Sequence, residues 1–312
     1  MRTEFASTLA IREAYSSTQY AATAAQMMRF GRMGEAMKSD DMPEGMTADE
    51  WQKSHGPHGT NLTHGAQTAQ EFVELMCAER FVNPDSFTDE QIELGAAAGE
   101  IHDHAEPDER VGDLPYPTTE ADKELQKQVH IAHISDYTPG LSDEHRATYV
   151  KGLEVVYGDG KTNYMSGKFE IAEKIGYLNV ALGSLRSIRK LQAYGAGAST
   201  EVLRSMGLRS PAHIERAVTM HRWIASEVLS NDVVELLIAK SCPDETPTLL
   251  PWLLRRSAAI SSCYAFDRED QDEFALRYDK LDPRARPGKA EQYYDNFCRQ
   301  GDLFELWRAE HP

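Results

Sequence analysis

His64, the adjacent pair His102-Asp103, Glu106 and Asp113 carry the side-chain types that bind a transition-metal ion and move protons. Imidazole nitrogen and carboxylate oxygen together suit Mn, Co, Fe, Ni or Zn. His64 stands 38 residues before His102, and each falls on or beside a segment with helical apolar spacing. A histidine followed by an aspartate at a helix end can aim both side chains at one ion, because the backbone is expected to leave helical geometry there. A lone His-Asp dipeptide occurs often by chance, and a lone histidine is more often a hydrogen-bonded core or surface group. The weight therefore falls on the neighbours. Asp113 sits in the turn Gly112-Asp113-Leu114-Pro115, which the fixed proline torsion stiffens.

The string HDHAE at 102–106, followed by GDLPYP at 112–117, resembles the HD-domain metallohydrolases. It looks closest to their deoxynucleoside 5′-monophosphatase branch, whose motif has the form H-D-x-x-E and then G-D-L-P-x-P. The resemblance covers residues 25–195. It implies an all-α helical bundle and release of phosphate from (deoxy)nucleoside 5′-monophosphates by metal-activated water. It also implies a metal held by His64, His102, Asp103 and a carboxylate on a later helix. The family carries Asp there in an A-D-x-x-x-Y-L-like context. This chain reads Ala172-Glu173-Lys174-Ile175-Gly176-Tyr177-Leu178, so Glu173 takes the position and Glu170 is the reserve. The extra methylene displaces the carboxylate by about 1.5 Å on an unmoved backbone.

The same resemblance implies that Glu106 orients and deprotonates the water and that Asp113 delivers a proton to the leaving 5′-oxygen, roles the two could exchange. Arg29 or Arg32, in MRFGRM, would grip the phosphate through a bidentate guanidinium. The connector Pro107 to Val111 is slightly longer than usual for the branch. Two rival readings stay open. His130 or His133, three apart in QVHIAHI, could hold a second metal with His145. That would make a dinuclear enzyme, a phosphodiesterase or a di-iron oxygenase. Equally, i, i+3 histidines suit an ordinary amphipathic helix. The other rival is a regulatory, non-catalytic HD protein. His55 and His58 lie on a Gly/Pro loop and suit a lid over the substrate.

The elements that must position these groups are helices, since strand-like alternation is almost absent. The spacing predicts helices over 6–31, from a Thr63 cap to about Arg80, and from Thr88 or Asp89 to Ile101. Further helices are expected over 119–137, 143–157, Lys168–Tyr194, 211–240 and around Phe297–Trp307, with a break at Gly158-Asp159-Gly160. Met33 to Gly59 reads as an irregular loop, and Pro243, Pro247 and Pro251 punctuate the stretch after 240. Residues 1–195 are expected to form the HD-type domain. Residues 196–312 are read as a helical extension that caps the site, mediates homo-oligomerisation or chooses the substrate.

Bulk charge narrows the partners. With 50 acidic against 33 basic residues, net -17, the chain lacks the cation excess that holds long nucleic acids or anionic membranes. A small phosphorylated substrate remains compatible, because a bound cation reverses the local field. Cys77, Cys242, Cys263 and Cys298 are scattered and suit reduced thiols. No apolar run is long enough to span a bilayer, and the first residues lack the apolar centre of a secretory signal. A soluble cytoplasmic protein is expected.

Overall fold

The computed structural model describes residues 61–103, 119–137, 142–195, 218, 221–222, 225, 228–229, 232–241, 248–264 and 289–312. The side chains of 61–64, 66, 133, 135–137, 145, 194–195 and 289–293 are outside that description. So are the expected helix over 6–31 and the loop over 33–59. The described residues are all-helical, with no strand among them. In chain order the helices are α1 (Asn61–Val82), α2 (Asp89–Ile101), α3 (Glu120–Tyr137), α4 (Asp143–Val156), α5 (Tyr164–Gly195), α6 (Val233–Ala239), α7 (Leu249–Tyr264) and α8 (Lys289–Glu310). None of them is long and apolar enough to cross a membrane.

Local chemistry explains the boundaries. Thr88 caps α2: its hydroxyl accepts from the Gln91 N–H at 3.2 Å, and the Gln91 side chain accepts from the Thr88 N–H at 2.9 Å. Thr119 and Asp122 make the same reciprocal exchange at the start of α3, both at 3.1 Å. Thr63 is not a cap; it lies inside the first turn of a helix already running at Asn61. Helix α5 begins at Tyr164, four residues before the expected Lys168, because Asn163 accepts from the backbone N–H of Met165 (3.0 Å) and Ser166 (3.3 Å). Helix α7 lies within the expected helical extension but in a stretch whose spacing marks no particular helix. Pro251 looked like punctuation, yet it falls in the first turn of that helix, where an N–H has no intrahelical partner to lose.

The chain divides into two compact units: the described residues up to Gly176, with Thr248, belong to the first, and those from Tyr177 to Ser241 and from Leu249 onward belong to the second. In the first, α2 is buried on every side from Gly95 to Ile101. Small residues make that burial possible. A Cβ added at Gly99 would stand 2.4 Å from the Ala69 Cα, and one at Gly152 would stand 3.1 Å from the Ala98 backbone N. Helices α1 and α4 therefore touch α2 almost backbone to backbone. The short connection 83–88 makes α1 and α2 antiparallel, with Gly95 beside Met76 and Gly99 beside Ala69. Ala97 and Ile101 pack with Ile134, Tyr149 and Leu153 into an apolar cluster. Helix α5 returns beside α1. Lys168, only 4% exposed, pairs with Glu79 at 2.6 Å, and the Phe169 ring packs edge-on against Phe72 at 5.8 Å.

In the second unit, α6 has only seven residues, and its N-cap Asp232 makes no side-chain cap bond. The fully buried Gln300 on α8 does that work, accepting from the Glu235 N–H at 2.7 Å. Arg299 bridges Asp232 and Glu235 alongside it. Tyr264 of α7 stacks obliquely on Phe297 of α8 at 5.2 Å.

The Gly99 contact yields a stability prediction. Alanine is the better helix former by about 1 kcal/mol, but here its methyl meets main-chain atoms that cannot swing aside. Overpacking of this kind costs about 1–3 kcal/mol. Gly99→Ala is expected to lower the urea midpoint; an unchanged or higher midpoint would show that the helices separate freely.

Candidate functional site

Helix α2 stops at Ile101 and delivers His102 as its C-cap residue. The C-cap keeps right-handed torsions (φ -57°, ψ -33°), so the expected departure from helical geometry does not occur at His102 itself. What aims the ring is a hydrogen bond. His102 Nδ1 lies 2.7 Å from the Gly99 carbonyl oxygen. A carbonyl only accepts, so Nδ1 is assigned the proton, and in the neutral ring Nε2 keeps its lone pair. Nε2 faces the Asp103 Oδ2 at 3.2 Å. A lone pair and a carboxylate oxygen repel unless a cation lies between them. That cation is either a proton or a metal ion.

Both groups are buried, His102 at 7% and Asp103 at 6% exposed. The Phe169 ring stands edge-on to the imidazole at 5.6 Å and shields it from water. Glu173 lies one turn beyond Phe169 on α5, close enough that its charge acts on His102. Its Oε2 is 3.7 Å from the Lys174 ammonium. Among the described residues, no three His, Cys, Asp or Glu side chains stand together as an ion cage. His102 and Asp103 thus meet, and Glu173 acts on them through its charge. The pair fits a metal chemically: two donor atoms of the right type converge, and a backbone carbonyl fixes the tautomer, as is usual behind ligating histidines. Glu170, the reserve ligand, is directed elsewhere, its carboxylate lying beside Gly160.

The antiparallel α1–α2 pairing brings the first turn of α1, where His64 sits, toward the end of α2 that delivers His102. The His64 side chain is outside the described residues. So are Arg29, Arg32, Glu106, Asp113, His55 and His58, and the side chains of His133 and His145. His130 is described and buried, its ring 5.7 Å from that of Tyr157. Sequence reasoning passed over Glu100. It is 1% exposed, two residues before His102, and accepts a hydrogen bond from the Tyr149 hydroxyl at 2.8 Å. A signal was present. In the run Gly95-Ala-Ala-Ala-Gly-Glu-Ile, small residues on every side of the helix leave a glutamate no route to solvent.

No protein-family model, curated protein or solved structure matches this chain.

Electrostatics bind the pair together. Burial alone, the strongest influence, drives the His102 imidazole pKa down. The Asp103 charge and hydrogen bond, the Glu173 charge and the Gly99 carbonyl reverse this, and the net shift is upward. A histidine whose pKa is raised on folding contributes stability that is complete below its unfolded value, about 6.5, and is lost as pH rises through the folded value. In metal-free protein, the unfolding midpoint is expected to fall as pH climbs past that range. Asp103→Asn should flatten the dependence. Denaturant titrations across pH check both, and a midpoint that rises through the same window would contradict the assignment.

Proposed function

We propose that the chain is a metal-dependent phosphohydrolase of the HD-domain type that releases phosphate from (deoxy)nucleoside 5′-monophosphates. One observation carries the reading: His102 is held by Gly99 so that Nε2 opposes the Asp103 carboxylate, a buried pair that requires a cation. Glu173 and the His64-bearing turn of α1 approach the same region and are the remaining ligands of the proposal. A bound divalent ion supplies Lewis acidity and offsets phosphate charge. Its identity among Mn, Co, Fe, Ni and Zn follows from loading experiments.

The chain's own residues do the rest. Glu106 takes the proton of the attacking water, and Asp113 returns one to the leaving 5′-oxygen. Arg29 or Arg32 grips the phosphate, a task suited to the guanidinium fork. The net charge of -17 supports a small substrate over a nucleic-acid strand, which would need clustered cations to displace its counterions.

A hydrolysis screen across nucleoside mono-, di- and triphosphates and general phosphoesters, with each metal supplied, tests the reading. Nucleoside plus inorganic phosphate is the expected product. Inactivity on every monophosphate, with cleavage of a diester or oxygen-dependent chemistry, transfers the assignment to the dinuclear class. Asp103→Ala should lose bound metal and hydrolysis together while circular dichroism stays helical; undiminished metal by elemental analysis defeats the ligand role. Glu106→Gln keeps size and hydrogen bonding but not the base, and should slow turnover about 10²–10⁴-fold with metal retained.

A further inference from the structure

Four consecutive residues close α2, and each faces a different environment. Gly99 is pressed on Ala69 of α1 and offers its carbonyl to His102. Ile101 fills the cluster with Tyr149 and Leu153 of α4. His102 meets Phe169 of α5. Glu100 is the exception in chemistry, a carboxylate at 1% exposure inside an otherwise apolar and glycine-rich turn. Tyr149, itself fully buried, donates to it across the helix interface at 2.8 Å. Burying a carboxylate is costly unless it is hydrogen-bonded. An apolar residue of similar volume would fill the space without that cost.

Direction is what an apolar residue would not supply. The contacts of Gly99 with Ala69 and of Gly152 with Ala98 set how closely α2 lies against α1 and α4, but they are not directional as a hydrogen bond is. A hydrogen bond between Glu100 and Tyr149 fixes the azimuth of the last turn, and with it the aim of the Gly99 carbonyl and the His102 ring. We propose that Glu100 and Tyr149 are positioning residues for the His102–Asp103 pair, a role that rests on the metal-site reading above. They touch neither the substrate nor the ion; they act through the turn.

Co(II) binding to the full chain tests this, read by the visible ligand-field spectrum, with unfolding of the metal-free protein followed separately. Tyr149→Phe keeps the ring and removes the donor. It should weaken Co(II) binding about 10–100-fold, the usual range for a group that orients a ligand, and alter the band shape. Glu100→Gln retains an accepting carbonyl and should restore near-normal affinity and spectrum. A merely structural pair would lower the unfolding midpoint in both variants yet leave the affinity and spectrum of the folded protein unchanged, which overturns the proposal. If Tyr149→Phe does not fold, Glu100→Leu, which removes the acceptor, decides in its place: weaker Co(II) binding with altered bands supports the role, and unchanged affinity and spectrum overturn it. A wild-type chain that binds no Co(II) overturns the metal reading and this role together. Wild-type binding with an unaffected Tyr149→Phe variant overturns only the positioning role.

Discussion

The first unit is organised by the contact of α1 with α2 at Ala69 and Gly99, where no side chain separates the two backbones. Dispersion between closely fitted atoms is individually small, but it accumulates over an interface packed this tightly. The contact also sets register. With Gly99 fixed on Ala69, the start of α1 and the end of α2 must lie at the same end of the pair, and the same last turn of α2 leads into His102 as its C-cap. A looser pairing with leucines at the crossing would hold the helices, but further apart and with more freedom to slide.

Around that contact the unit distributes its polar groups sparingly. Lys168 with the half-buried Glu79, Glu100 with Tyr149, and His102 with Asp103 are each partnered. Removing one member of a buried ion pair typically costs about 3–5 kcal/mol because the other is left behind. These pairs are therefore better understood as fixing which arrangement forms than as sources of net stability. Phe169 ties one of them to the core: it packs on Phe72 and on His102.

Much of the helical layout was legible, and particular residues show why. Thr88 with Gln91 is a capping box written in sequence, and the break at Gly158-Asp159-Gly160 is punctuation that the chain obeys. The misreadings arose where one residue serves two states. Pro251 ends helices and also starts them, and the apolar spacing from Lys168 onward missed a start that Asn163 caps four residues earlier. Of the site, the adjacency of His102 and Asp103 could be read directly, since it is covalent. The aim of the ring could not, because it depends on a backbone carbonyl three residues earlier. Glu100 was hidden for a related reason: its burial comes from helices that are distant in sequence.

Helix α6 carries a further consequence. Seven residues are too few to hold a helix in water, where nucleation is unfavourable and short segments are marginal. Its N-terminal amide is satisfied by Gln300, and its acidic end by Arg299, both from α8. During synthesis at about 5–20 residues per second, α6 leaves the ribosome well before either partner exists. Its order must wait for the helix that completes it. The second unit is thus assembled late, by contacts reaching back along the chain, whereas the α1–α2 hairpin can close as soon as Ile101 has emerged.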